Sequence, residues 1–240
     1  MLAKFGIVIM LIVAWPSLAG NDPRPFYQRF EDESAVVDDA LEQASASHQL
    51  VALVLGAEWC HDSRALAEYF NDPALTSVSA AMTLLPIDVG YLENKQSLLS
   101  QFGYPAYFAT PTLLLIDPQT RQVINRATLP AWQNAHNESA SSLHAYLQSQ
   151  QQFWQTQWQA TPPAPVIEAF EAQQAETLYE HYRQLGALLA LEDNNQPAPG
   201  LNSQWRAVKQ YRTALQNDLI RLHEQGGTED KLPNYSPIAW

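Results

Sequence analysis

The chain has 240 residues, with 25 acidic against 13 basic side chains, a formal charge of −12, 46% hydrophobic and 16% charged residues, and one cysteine. This is a globular composition, long enough for one or two domains with a real core. The acidity speaks against a nucleic-acid binder, which needs clustered Lys and Arg to neutralise phosphates. One cysteine excludes an intramolecular disulfide, a multi-cysteine zinc site and a Cys-x-x-Cys redox pair.

Residues 1–19 read as a signal peptide. Lys4 supplies the charged start, 5–15 is an apolar run, and Ser17-Leu18-Ala19 places small residues ahead of a cleavage point. The run is short for a bilayer span, which takes roughly 20 residues; an uncleaved anchor is the other reading. Cleavage implies a periplasmic or secreted protein, free of the membrane, in an oxidising compartment.

Residues 26–159 form the first unit. After a polar lead-in, Val37, Leu41 and Ala44 carry helical spacing over 33–48. The continuous apolar run 50–55 (LVALVL) suits a strand buried on both faces. A helix is expected over 60–70, stopped by Asn71-Asp72-Pro73. A second buried strand follows at 82–89, a helix at 92–102, a loop at 103–110 and a third strand at 112–116 (TLLLI). Asp117-Pro118-Gln119-Thr120 reads as a turn into a hairpin partner at 122–127, and 139–158 as a glutamine-rich helix. This alternation predicts an α/β class with a parallel sheet and one antiparallel edge.

A proline-rich linker, 160–165, separates a second unit, 166–225. Ile167, Phe170, Leu178, Tyr182, Leu185 and Leu189 fall on one helical face, interrupted by Gln174. Trp205, Val208, Tyr211, Leu215, Leu219 and Leu222 make a second stripe. Breaks at Pro197, Pro199 and Gly200 and the stop at Gly226-Gly227 predict an antiparallel helical hairpin, packed on itself or on the first unit. Residues 226–240 read as an irregular tail.

Cys60 follows the first buried strand and opens a helix, where the first N–H groups and the helix dipole favour an anion such as a thiolate. A buried, inert cysteine is the alternative. The segment Ala57-Glu58-Trp59-Cys60-His61-Asp62-Ser63-Arg64 resembles the active-site loop of the thioredoxin family, Trp-Cys-x-x-Cys at a helix start. About 50 residues further on, Ala109-Thr110-Pro111-Thr112-Leu113-Leu114-Leu115-Ile116 resembles that family's cis-proline loop and following strand. The resemblance covers about 26–150 and implies a thioredoxin-like fold, with the hairpin as a C-terminal extension.

It further implies that Cys60 is the nucleophile, with Ser63 beside it and Trp59, His61, Thr110 and Pro111 as substrate-contacting positions. Pro111 would be cis, turning an exposed Thr110 backbone toward substrate, or an ordinary trans proline. Trp59 would lean over the site rim or pack beneath it. The departures are specific. Ser63 replaces the second cysteine, so Cys60 has no resolving partner in its own chain, although the Ser63 hydroxyl could still donate to a Cys60 thiolate. Val54 and Leu84 stand where the family places an Asp and a Lys that relay protons. A protonated His61 would favour a thiolate and Asp62 would oppose it.

Cys60, His61 and Asp62 are adjacent at a helix start and are not expected to converge on one ion, so no metal ligands and no cofactor are assigned. His48, His136, His144, His181 and His223 are expected to be solvated. The aromatic stripes of 166–225 are expected to be core rather than a ligand box. Two functions follow. One is periplasmic thiol–disulfide exchange through a single cysteine in a Cys-x-x-Ser motif, with protein or low-molecular-weight thiols and disulfides as partners. The other is a redox-inactive thioredoxin-fold module that binds a partner protein, at the groove or the hairpin. A Cys60-linked dimer is a further possibility in an oxidising compartment.

Overall fold

The computed structural model describes residues 25–160, 165–226, 228 and 231–238. The expected signal peptide, most of the proline-rich linker and parts of the tail lie outside them. The elements run α1 (Glu33–Ser47), β1 (Leu50–Gly56), α2 (His61–Phe70), α3 (Thr76–Ser79), β2 (Met82–Asp88), α4 (Gln96–Leu99), β3 (Thr112–Asp117), β4 (Gln122–Val123), α5 (Ala140–Thr156), α6 (Pro165–Asp193) and α7 (Leu201–Gln225). Short 3-10 turns cover Pro73–Leu75, Ser100–Phe102, Arg126–Trp132 and Ala135–Asn137.

The strand order is β2-β1-β3-β4. Every residue of β1 is buried, as the unbroken apolar run demands of a central strand. β1 pairs in parallel with β2, Leu53 opposite Leu85, and antiparallel with β3, Leu53 opposite Leu114. The expectation of three parallel strands is therefore corrected: β3 is reversed. The link from β2 to β3 contains only the four-residue α4 and one 3-10 turn. At about 1.5–2.0 Å of rise per helical residue, that helix cannot carry the chain back along a seven-residue strand of roughly 23 Å. The chain re-enters the sheet from the end it left.

Two further expectations are corrected here. The helix expected over 92–102 starts only at Gln96. Leu92 is buried with φ of 63°, and the Asn94 side chain accepts the Gln96 N–H at 2.7 Å, so the chain turns before it coils. The hairpin partner expected over 122–127 pairs for two residues only. Beyond it the Asn125 side chain takes over the ladder, accepting from Leu115 N and donating to Leu113 O, both at 2.9 Å. The backbone is then free to enter the 3-10 turn at Arg126.

Alternating β1 side chains divide the core. Leu50, Ala52 and Val54 face a layer with Leu66 of α2 and Leu143 and Leu147 of α5. Val51, Leu53 and Leu55 face α1, the 98–108 segment and the α6/α7 pair. This is a mixed α/β, thioredoxin-like fold carrying an α-helical hairpin. Both stripes are buried, apart from half-buried Leu189 and Trp205. The polar interruption at Gln174 is satisfied by the Tyr211 hydroxyl, 2.9 Å away.

The hairpin packs on itself and on the sheet layer. Tyr182 donates to Tyr107 O at 3.0 Å. Glu171, 3% exposed, takes Arg126 on one oxygen at 2.7 Å and His223 on the other at 2.9 Å. His223 and His181 are thus not solvated: each sits on an inward helix face, with His181 edge-on to the Tyr211 ring. No helix among the described residues is long and apolar enough to cross a membrane.

Candidate functional site

Cys60 is the N-cap of α2, in extended conformation, at the carboxyl end of β1. Its main chain is held by Cys60 N–H to Ala57 O at 3.1 Å. Gly56 at the strand end is required by a close approach, since a Cβ there would lie 2.4 Å from the Tyr27 ring. Tyr27 in turn donates to Ser63 O at 2.8 Å, bracing the first turn of α2. Burial pushes the Tyr27 phenol well above its ordinary pKa, so it stays a donor.

The Thr110–Pro111 peptide is cis. It brings Thr110 O to 3.2 Å from Cys60 Sγ, which donates to it. Deprotonation or derivatisation of the sulfur removes that bond. The Thr110 main chain is not exposed as expected: the residue is 5% accessible and its carbonyl is covered by the thiol. Ser63 is fully buried and its hydroxyl has no partner among the described residues, so the bond to Cys60 allowed for in the sequence is not made here. Val54 is buried in the middle of β1 and Leu84 half-buried in β2.

Trp59 is half-buried. Its indole N–H donates to Gly90 O at 2.7 Å, and its ring meets Trp205 of α7 edge-on at 6.2 Å. It therefore forms both rim and packing surface. Beside it lies a cavity of about 660 Å³ lined by Trp59, Cys60, His61, Asp62, Thr110, Leu189, Trp205, Lys209 and Arg212, among others. The hairpin thus supplies one wall of the cysteine cavity. Arg212 is 7% exposed. Its guanidinium lies over the Trp205 ring at 5.3 Å and 3.4 Å from the Tyr182 hydroxyl, and it pairs with no carboxylate among the described residues.

On the opposite rim His61 and Asp62 lie together, and His136, exposed as expected, joins them. His61 Nε2 lies 3.2 Å from His136 Nδ1 and 3.2 Å from Asp62 Oδ2, and His136 Nδ1 lies 2.6 Å from Asp62 Oδ1. The adjacent pair can meet because Asp62 reaches the turn Ala135–Asn137, where the His136 ring contacts both His61 and Asp62. That turn is clamped to α2 by Tyr69, whose hydroxyl contacts Ala135 O at 3.0 Å and Glu138 O at 2.7 Å. His136 N–H also donates to Asp62 Oδ1 at 3.1 Å.

Of the positions singled out in the sequence, the fold brings Trp59, Cys60, His61, Thr110 and the cis Pro111 bond to one place, with Ser63 directly beneath. The sequence reading missed His136, Trp205, Lys209 and Arg212. The fold brings them in from distant segments. Only Trp205, as an aromatic start to an amphipathic stripe, carried any advance signal.

No family model matches the chain, and no curated protein matches it significantly. Among solved structures, the crystal structure of disulphide isomerase from Xylella fastidiosa Temecula1 is similar, at 22% identity and a TM-score of 0.44, over 51% of this chain and 94% of that one. At that TM-score the likeness adds nothing to the sheet topology described above.

Proposed function

We propose that this protein performs thiol–disulfide exchange with Cys60 as its only nucleophile and an external thiol as the resolving group. The observation that carries this reading is the placement of Cys60 Sγ at the start of α2, against the cis-Pro111 loop and on a cavity large enough for a small substrate. The Cys60 thiolate attacks a substrate disulfide RS–SR′, forming the Cys60–S–S–R bond and releasing R′S⁻. A second thiolate, R″S⁻, then attacks the R sulfur, giving R″S–SR and restoring Cys60. Ser63 cannot perform that second attack. The expected leader, 1–19, supports action in an oxidising extracytoplasmic compartment.

The alternative is a redox-inactive binding module. The absent second thiol and the apolar Val54 and Leu84 favour it. Acid-quenched mixtures of the purified protein with a disulfide substrate separate the two on non-reducing gels. Exchange predicts a mixed disulfide lost in Cys60→Ala, and reductase activity gained in Ser63→Cys. Absence of both leaves the binding module.

A further inference from the structure

Asp62 is 8% exposed, and its only ion-pair partners among the described residues are two imidazoles, His61 and His136. Each residue presents one donor atom, and the three lie within 4.8 Å of one another. His61 Nε2 lies 3.2 Å from both His136 Nδ1 and Asp62 Oδ2, and the other carboxylate oxygen, Asp62 Oδ1, lies 2.6 Å from His136 Nδ1. Ligands bound tetrahedrally at about 2.0–2.1 Å stand roughly 3.3 Å apart. With Oδ2 as the carboxylate ligand two separations already match, and the hydrogen bond between Oδ1 and His136 Nδ1 gives way when the metal takes that nitrogen.

We propose that His61, Asp62 and His136 bind one divalent first-row metal ion of borderline softness, of the zinc or copper class. Two imidazoles and one carboxylate are the donor set such ions take, and calcium or magnesium, which prefer all-oxygen cages, are disfavoured. The carboxylate is already oriented by the His136 main-chain N–H, and the turn that carries His136 is held to α2 by Tyr69. His61 and His136 side chains are 63% and 42% exposed, which leaves an entry path and open coordination positions toward the cavity that Cys60 also lines. The site needs no sulfur ligand and is independent of the thiol reading.

The test is zinc titration against a chromophoric chelator on the Cys60→Ser chain, which removes thiol binding and separates the outcome from exchange chemistry. One equivalent of zinc is expected to bind, and cobalt(II) in its place is expected to give visible d–d bands. His61→Ala and His136→Gln should each weaken zinc at least about tenfold, since even partners one shell further out contribute 10–100-fold, and should abolish the cobalt bands. His61 is exposed, so its removal leaves folding intact, as circular dichroism will verify. No binding in Cys60→Ser, or affinity unchanged in both histidine variants, overturns the proposal.

Discussion

Gly186 sits in the middle of α6, where helix propensity favours alanine by about 1 kcal/mol. The packing opposes that. A Cβ at 186 would lie 1.9 Å from the carbonyl oxygen of Tyr91, and Cβ contacts shorter than 3.0 Å are essentially unknown, so helix and loop must separate by about 1.1 Å. The obstructing atom is backbone, and the loop is tied down. Gly90 takes φ of 52° and accepts the Trp59 indole N–H, and the Tyr91 hydroxyl bonds Asp193 at the end of α6. Overpacking of this kind destabilises by about 1–3 kcal/mol. Against the propensity gain, Gly186→Ala is expected to lose up to about 2 kcal/mol. For a chain of this size that lowers Tm by up to roughly 8 °C. The shift also reaches Trp59 through Gly90, so the alkylation rate of Cys60 should change. Thermal unfolding and iodoacetamide kinetics check both effects. A more stable variant, as bare helix propensity demands, with an unchanged alkylation rate, would refute the seating of α6 on the 90–91 loop.

Two further predictions concern the hairpin. Glu171→Ala leaves Arg126 and His223 facing each other without their shared carboxylate and should destabilise by about 3 kcal/mol in urea titration; a loss below 0.5 kcal/mol, roughly that of an exposed pair, contradicts the buried bridge. His181 has a lowered pKa, chiefly because burial disfavours its charged form, with Glu180 opposing. The unfolded chain therefore takes up the proton first as pH drops through about 6.5, and the stability present above that value is lost toward the lower, folded pKa. The urea midpoint should fall between about pH 7.5 and 5, by less in His181→Phe than in the natural chain; equal slopes in the two refute it.

The sequence was most legible where physics is local. The runs LVALVL and TLLLI are apolar without interruption because β1 and β3 are covered on both faces. The two helical stripes recur at helical spacing because α6 and α7 each bury one face. Cys60, at a strand-to-helix junction, stands out for the same reason. Side-chain substitution for backbone was not legible. Asn94 and Asn125 replace main-chain bonds with their own amides, starting one helix late and ending one strand early, and nothing in their neighbours announces it. The reversal of β3 follows from how short the helical connection is, which depended on that same Asn94. His136, Lys209 and Arg212 come to the site through tertiary packing alone. In sequence they look like any solvated polar residues.

The central claim is that the fold activates Cys60 for exchange although the residue is only 9% exposed. The most direct test is the rate at which the protein forms a mixed disulfide with oxidised glutathione, followed by intact mass, in the folded chain and in urea. The account predicts one adduct, at Cys60, formed faster in the folded chain than in the unfolded one and released by reduced glutathione. A folded chain that reacts more slowly than the unfolded one, as a buried and inert thiol does, contradicts it.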